Sequence, residues 1–241
     1  MADGTVVTVT EQTHYPFEGL VQMKLQMDKS TRFPLYLRIP VWCSDTKVKV
    51  NNESVTTTMS AGQYLKLDRE WRNGDQISIE FPMKLKVRTW EKNKNSVSLN
   101  YGPLTYSLKI KENYTRLDSK QTAQYDSKWQ ENSDPSQWPS YEIQPSSVWN
   151  FGLSGNLNDL EKTFTITHKP WPKDNFPFTL ESVPLEIKTK AKKIPSWTID
   201  QYGLCSELPQ SPVSSTEPEE EITLVPMGAA LLRISAFPVV K

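Results

Sequence analysis

The alternation of apolar and polar residues through the first half of the chain most constrains its fold. In residues 20–27, every second side chain from Val21 onward is apolar. The same period of two recurs in residues 35–39, 47–50, 64–68, 77–81, 83–87 and 97–110. In a β-strand, successive side chains point to opposite faces, and one apolar and one polar face is typical of antiparallel sheets with one solvated side. No segment of this half sustains a helical period.

The density and spacing of these strands predict the architecture. Short alternating strands that are separated by turn residues favour a β-sandwich, in which two sheets pack on their apolar faces. The pattern returns more sparsely in the second half, in residues 164–166, 183–187, 222–224 and 232–236. We therefore expect an all-β fold with two antiparallel β-sandwich domains in series, residues 1–112 and 113–241. One larger barrel-like domain is the alternative.

Two turn signals and one polar segment divide the strands. Asn73-Gly74 lies between two alternating runs and predicts a β-hairpin, because both central residues of a type I′ turn need positive φ. Asn51-Asn52 is a second turn signal. Residues 119–138 are rich in Ser, Gln, Asp and Asn, with Tyr125, Trp129 and Trp138 as their large apolar residues. This segment predicts a long polar loop at the start of the second domain, with room for one helical turn.

Charge and hydropathy exclude several classes of partner. The chain has 28 basic and 28 acidic residues, which gives no electrostatic reason to expect nucleic acid or an anionic membrane as a partner. No apolar run approaches the roughly 20 residues that span a bilayer. The N-terminal residues show no export signal.

Cys43 and Cys205 are far apart in sequence and are expected to be free buried thiols, with a disulfide as the alternative.

The sequence shows no catalytic or metal-binding motif. His14 and His168 have no second His, Cys or carboxylate at a metal-ligand spacing, so we expect no metal and no cofactor. A glycosidase needs only two facing carboxylates, but in an all-β chain these come from different strands and cannot be read from spacing. No catalytic residue is predicted, and an enzyme with a hidden carboxylate pair is the alternative.

The tryptophans are the candidate binding residues. Trp90, Trp149 and Trp171 each lie beside a strand end or in a turn bounded by proline. Sugar rings present apolar C–H faces that stack on exposed indoles, so these three residues are the predicted carbohydrate-binding residues. The alternative is that each one fills the end of a sandwich.

Several strings, in order along the chain, resemble one family. Arg38, Pro40 and Trp42 match an R-x-P-x-W pattern, and residues 70–75 match a W-x-x-G-D hairpin. Residues 100–108 are similar to an R-G-P-L-V-Y strand, with Tyr101 where Arg is usual, and residues 145–153 and 224–235 also look like family segments. Together they resemble the β-L-arabinofuranosidase-like family, glycoside hydrolase family 127 and its relatives.

The resemblance implies a layout and a role. In that family an N-terminal (α/α)₆ barrel carries catalysis, with a zinc-bound cysteine nucleophile and a glutamate acid/base, and β-sandwich domains follow. No part of this chain matches the barrel, and Cys43 and Cys205 do not fall in the catalytic pattern. The expectation is a non-catalytic accessory region of a periplasmic or extracellular glycoside hydrolase that acts on arabinose-type or related plant glycans. Its partner would be the N-terminal catalytic barrel of the same parent chain. The alternative is a carbohydrate-binding module that holds glycan through exposed tryptophans.

Overall fold

The computed structural model describes residue 1, residues 4–123 and residues 129–241. Tyr125 of the polar segment lies outside these residues. Within them nearly all regular structure is β-strand, and the paired strands that form sheets are antiparallel. The expected all-β fold is confirmed.

The elements are short and follow one another closely. The strands are β1 (Val7–Thr13), β2 (Leu20–Met27), β3 (Thr31–Arg38), β4 (Lys47–Val50), β5 (Glu53–Ser54), β6 (Tyr64–Trp71), β7 (Gln76–Glu80), β8 (Leu85–Trp90), β9 (Ser96–Tyr101), β10 (Leu104–Leu108), β11 (Glu112–Leu117), β12 (Ser140–Pro145), β13 (Phe151–Leu153), β14 (Thr165–His168), β15 (Leu185–Lys193) and β16 (Glu219–Pro226). The helices are α1 (Ser119–Thr122), α2 (Leu160–Thr163) and a 3₁₀ turn at Met227–Ala229.

The chain divides into two compact units. Unit 1 comprises Met1–Lys86 and Asn100–Thr105, and unit 2 comprises Val87–Leu99 and Tyr106–Lys241. The sequence placed one boundary after residue 112, whereas the structure groups residues 87–99 and 106–112 with unit 2.

Unit 1 is built from two facing sheets. The larger sheet has the order β1-β2-β7-β4-β5, and β3 pairs with β6 in the smaller one. The alternating apolar residues of both sheets point into one core, including Leu25, Leu37 and Ile79. Trp71 is fully buried there, and its indole N–H donates to the Phe33 carbonyl at 3.0 Å. The period of two therefore predicted which side chains form this core.

The predicted hairpin at Asn73-Gly74 is wrong. Strand β6 pairs with β3, whereas β7 pairs with β2 and β4, so the turn passes from one sheet to the other. Gly74 has a φ of 89°, and Asn73 is not among the residues with positive φ. The Asn73 side chain instead accepts a hydrogen bond from the Met27 N–H at 3.2 Å, which ties the turn to β2.

The two-residue hairpin lies at the other turn signal. Asn51 and Asn52 have φ values of 51° and 68° and join β4 to β5, which pair with each other. The Asn51 side chain donates to Asp75 at 2.8 Å and accepts from the Gln76 N–H at 2.9 Å.

Unit 2 contains most of one large sheet. Its strands have the order β13-β15-β16-β10-β9-β8, and β14 also pairs with β15. Tyr106, Ile187 and Leu224 are fully buried in this unit. A second sheet is the β11-β12 pair, which runs from Glu112 opposite Pro145 to Leu117 opposite Ser140.

The polar segment connects β11 to β12. Helix α1 begins after Asp118, whose carboxylate accepts from the Lys120 N–H at 2.9 Å. The helical turn allowed for by the sequence is therefore present, directly after strand β11.

Candidate functional site

Trp90, on β8, is the most exposed of the three predicted carbohydrate-binding residues, with 38% of its surface accessible. Its indole N–H donates to the Ser98 hydroxyl at 2.9 Å, which fixes the orientation of the ring. The Arg88 guanidinium carbon lies 3.6 Å from the ring centroid, so a cation covers one face. Only the opposite face is left for a sugar.

Trp149 and Trp171 have other partners. Trp149 is half-buried and meets Trp197 edge-on, with ring centroids 5.0 Å apart and an interplanar angle of 71°. It packs against the cluster of Ile194, Trp197 and Val240. Trp171 is half-buried, and its indole N–H donates to Asn175 at 2.7 Å. The three predicted residues thus lie in three different local environments.

A cavity of unit 2 lies beside β11. It has a volume of about 730 Å³, and its apolar lining includes Tyr114, Phe178 and Leu231. Tyr114 meets Tyr141 at a ring-centroid distance of 6.0 Å, and Phe178 meets Phe176 at the same distance. All five side chains are exposed. We call Tyr114, Tyr141, Phe176, Phe178 and Leu231 the aromatic cleft.

Glu112 anchors one wall of the aromatic cleft. One carboxylate oxygen accepts from the N–H groups of Leu231 and Leu232, at 2.8 and 2.9 Å, and the other accepts from the Tyr114 hydroxyl at 2.6 Å. Burial opposes ionisation of Glu112, but these hydrogen bonds and the charge of Arg233 outweigh it and hold the pKa of the carboxyl below its usual value. The same bond to Glu112 raises the pKa of Tyr114 to about 12.

A charge cluster lies next to the aromatic cleft. Glu186 is almost fully buried, and Lys109 and Lys169 both donate to the same carboxylate oxygen, at 2.7 and 2.5 Å. Burial opposes ionisation of Glu186, but the two lysines outweigh it and keep the pKa of this carboxyl below its usual value. A carboxylate held ionised between two cations is a poor general acid, so this cluster is best explained as structural.

A second cavity in unit 2, of about 510 Å³, is lined by residues 119–123, by residues from 129 to 133 and by residues 138–140 at the start of β12. Trp129 and Trp138 line it, together with hydroxyl and amide side chains. Trp138 is 66% exposed, the largest exposure of any tryptophan in the described residues. We call this space the tryptophan cavity. The sequence did contain a signal for this cavity, namely two indoles in an otherwise polar segment. The predicted binding residues were instead chosen among tryptophans beside strand ends.

The zinc and cysteine chemistry of the resembled family does not fit the described residues. No group of three or more His, Cys, Asp and Glu in them could hold a metal ion. Cys43 is buried as expected and accepts a hydrogen bond from the Thr46 hydroxyl at 3.4 Å. Cys205 was expected to be buried but is exposed, because it lies at the end of the short turn that pairs it with Ile199.

The described helices do not form a catalytic barrel or a membrane span. The two α-helices have four residues each, so the described residues hold no (α/α)₆ barrel. None of the described helices is long and apolar enough to cross a bilayer.

Comparison with known proteins gives one family. Residues 1–83 match the family model described as beta-L-arabinofuranosidase, GH127 middle domain. No curated protein sequence matches the chain.

Solved structures with a similar fold include three glycoside hydrolases. A glycoside hydrolase is 19% identical, with a TM-score of 0.58, and the match covers 98% of this chain and 34% of that protein. A GH127 β-L-arabinofuranosidase from Geobacillus stearothermophilus T6 is 20% identical, with a TM-score of 0.57 and coverage of 99% and 31%. A GH127 β-arabinofuranosidase is 18% identical, with a TM-score of 0.59 and coverage of 98% and 32%.

The chain spans about a third of the length of these solved proteins, and at such identities the likeness shows the fold. The resemblance to the β-L-arabinofuranosidase-like family indicated by the motifs is therefore confirmed, through a GH127 middle-domain match in residues 1–83 and an all-β fold shared with about a third of each solved structure.

Proposed function

We propose that this chain is a non-catalytic accessory region of a glycoside hydrolase, which packs on and supports a catalytic barrel that acts on arabinose-type or related plant glycans. The observation that carries the proposal is the coverage of the matches. Nearly the whole chain aligns with about a third of each solved protein, so two thirds of those proteins lie outside the shared fold. A chain of this kind would support catalysis that takes place elsewhere.

The aromatic cleft is the proposed docking surface. Large exposed apolar patches mark interaction sites in soluble proteins. Tyr114, Phe178 and Leu231 line one concave space, and the exposed rings of Tyr141 and Phe176 pack edge-on against the first two. Glu112 fixes the segment at Leu231 through two hydrogen bonds from backbone N–H groups. Such a preformed apolar surface suits the side of a larger, permanently attached domain.

Binding to the catalytic portion of the same parent protein, produced separately, tests this proposal. The two proteins should form a complex in sedimentation velocity, and Phe178→Ser and Leu231→Ser should weaken it. Tyr202→Ser is the matched control, because Tyr202 is 78% exposed and does not line the aromatic cleft. The isolated chain should not hydrolyse arabinofuranosides. Hydrolysis by the chain alone, or a complex that tolerates both cleft substitutions, would overturn the proposal.

Glycan binding through Trp90, Trp149 and Trp171 is the second proposal. The observation that favours it is the half-exposed state of all three indoles, with the Trp90 ring held in place by Ser98. On a glycan array, single Trp→Ala changes at these positions should each reduce binding. Unchanged binding in all three variants would remove this proposal and leave the docking proposal untouched.

A further inference from the structure

The inner face of strand β1 lies uncovered in unit 1. Val9 is paired with Leu25 of β2, so the two side chains share the inner face of the larger sheet. Leu25 is fully buried in the core between the two sheets, whereas Val9 is 48% exposed. The smaller sheet, which consists of β3 and β6, therefore covers β2 but does not extend over β1.

Strand β3 has an unpaired edge beside this opening. Its partner is β6, and the Ile39 N–H donates to the Gln63 carbonyl at 2.8 Å directly after the paired residues. Because only alternate residues of an antiparallel strand bond to one neighbour, the residues of β3 that bond to β6 are odd-numbered like Ile39. The N–H and C=O groups of Tyr36 and Arg38 therefore point away from β6. The described residues supply no hydrogen-bond partner for them.

Pro34 lies on the same edge of β3 as Tyr36. It has no N–H, and it is tolerated there because that position bonds to no neighbouring strand. The outer edge of β6 is different, since the residues whose backbone points away from β3 are charged ones, namely Lys66, Asp68 and Glu70. A row of charges discourages strand pairing. The edge of β3 is therefore the more accessible of the two for a further strand.

A groove of about 430 Å³ is lined by residues of both β1 and β3. Its apolar lining includes Val21, Met23 and Phe81, together with the exposed rings of Tyr15 and Tyr36. An extended segment places every second side chain on one face, so alternate apolar residues suit such a groove. A free strand edge beside an apolar groove is the arrangement that binds peptides by β-strand addition.

Glu11 gives the groove a negative charge on the β1 side. It is exposed and shares the inner face of β1 with Val9, two residues away. Among the described residues it makes no ion pair. The carboxylate therefore favours an occupant with a lysine or arginine among the side chains that face the groove.

We propose that the free edge of β3 binds an extended segment of a separate polypeptide, which adds a third strand to the smaller sheet and covers the inner face of β1. The side chains that face the groove are apolar, with one basic side chain beside Glu11. A single strand fits better than a second copy of the chain, because β3 of a copy would bring its own larger sheet into the space that β1 occupies. This surface belongs to unit 1 and does not depend on the aromatic cleft.

Fluorescence anisotropy of a labelled peptide with the full 241-residue chain tests the charge preference. The probe is Thr-Val-Thr-Lys-Thr-Val-Thr, in which valines and lysine share one face, and the comparison peptide has glutamate in place of lysine. The lysine peptide should bind at least about threefold more tightly, and Glu11→Lys should reverse the order. An order that Glu11→Lys leaves unchanged would overturn the proposal, and so would a lysine peptide that does not bind.

Tyr36→Pro tests the backbone edge. It removes one free N–H and no bond to β6, so the affinity for the lysine peptide should fall by about three- to tenfold. Lys66→Pro is the matched control, because it makes the same change on the outer edge of β6 and should leave the affinity unchanged. Equal binding by the two variants would contradict strand addition.

Two methylated forms of the lysine peptide test strand pairing with the parent protein alone. Each form carries methyl groups on the backbone nitrogens of alternate residues, one form on the odd positions and the other on the even positions. Only alternate N–H groups face β3, so one form should lose binding and the other should keep it. Equal binding of both forms would overturn the proposal. A dimer of the parent chain in sedimentation velocity that Tyr36→Pro dissociates would assign the edge to a second copy and overturn it as well.

Discussion

The Tyr114 hydroxyl donates a 2.6 Å hydrogen bond to the carboxylate of Glu112, and the other oxygen of that carboxylate holds the backbone of Leu231 and Leu232. One ionised group therefore ties β11 to the segment that follows β16. Because the bonds require the charged form, the attachment depends on pH.

Glu112→Gln should destabilise the chain at neutral pH and have little effect in acid. The pKa of Glu112 is lower in the folded state than its reference value of 4.5, so its contribution is present above that pH and is lost as the pH falls through the folded pKa. Because the group is half-buried, we expect a loss of about 1 kcal/mol at pH near 7, which shrinks at pH near 3. Urea unfolding of both proteins at the two pH values measures this. An equal difference at both would contradict it.

Tyr114 should titrate later than an ordinary tyrosine. Its pKa is raised from 10.0 to about 12 in the folded chain, so the stability it contributes is complete below pH 10 and is lost as the pH rises through about 12. The difference in tyrosinate absorbance between the parent chain and Tyr114→Phe isolates this group. In Glu112→Gln the midpoint of Tyr114 should move back toward 10.0, and an unmoved midpoint would show that Glu112 is not the cause.

Glu186→Gln should cost more than a change at a surface ion pair. It leaves Lys109 and Lys169 close together without their shared counter-ion, and removing one partner of a fully buried pair costs about 3–5 kcal/mol. Because the lysine side chains are 30% and 34% exposed, we expect about 2 kcal/mol in urea unfolding. Glu221→Gln, which breaks the exposed Lys188–Glu221 pair, is the control and should cost less than Glu186→Gln, because solvent screens an exposed pair. Equal losses would contradict the burial argument.

Gly19→Ala should destabilise unit 1. A Cβ on Gly19 would lie 2.1 Å from the Phe81 carbonyl oxygen, which is backbone and cannot rotate away. Overpacking of this kind typically costs about 1–3 kcal/mol, measurable as a lower thermal midpoint. Gly228→Ala is the matched control, because its nearest neighbour would be the Phe178 ring at 3.8 Å, an ordinary contact. A Gly19→Ala protein as stable as the control would show that the backbone there can move apart.

The sequence predicted strands and their inward faces better than it predicted their partners. Alternation is a local property, and residues such as Leu25 and Ile79 are buried as the period of two requires. Which strands are hydrogen-bonded to each other depends instead on how the whole sandwich packs. The Asn73-Gly74 signal was therefore wrong about a hairpin, because Met27 and Leu25 of β2 supply the backbone partners of that turn.

The surroundings of the proposed binding tryptophans could be predicted only in part. Arg88 and Trp90 are two residues apart in β8 and so share a face, which was readable from the alternation, but the guanidinium stacking was not. The Trp149–Trp197 contact joins residues from distant loops, and no local pattern encodes it. Trp129 and Trp138 stood out by composition, whereas the cavity between them follows from how α1 and β12 meet.

The path of the chain between the two units limits how the protein can be divided. Residues 87–99 belong to unit 2, and residues 100–105 return to unit 1 before the chain leaves it again. An expression fragment that stops after Lys86 lacks six residues of unit 1, and one that continues to Thr105 carries thirteen residues of unit 2 without the rest of that unit. No single cut therefore yields two complete units.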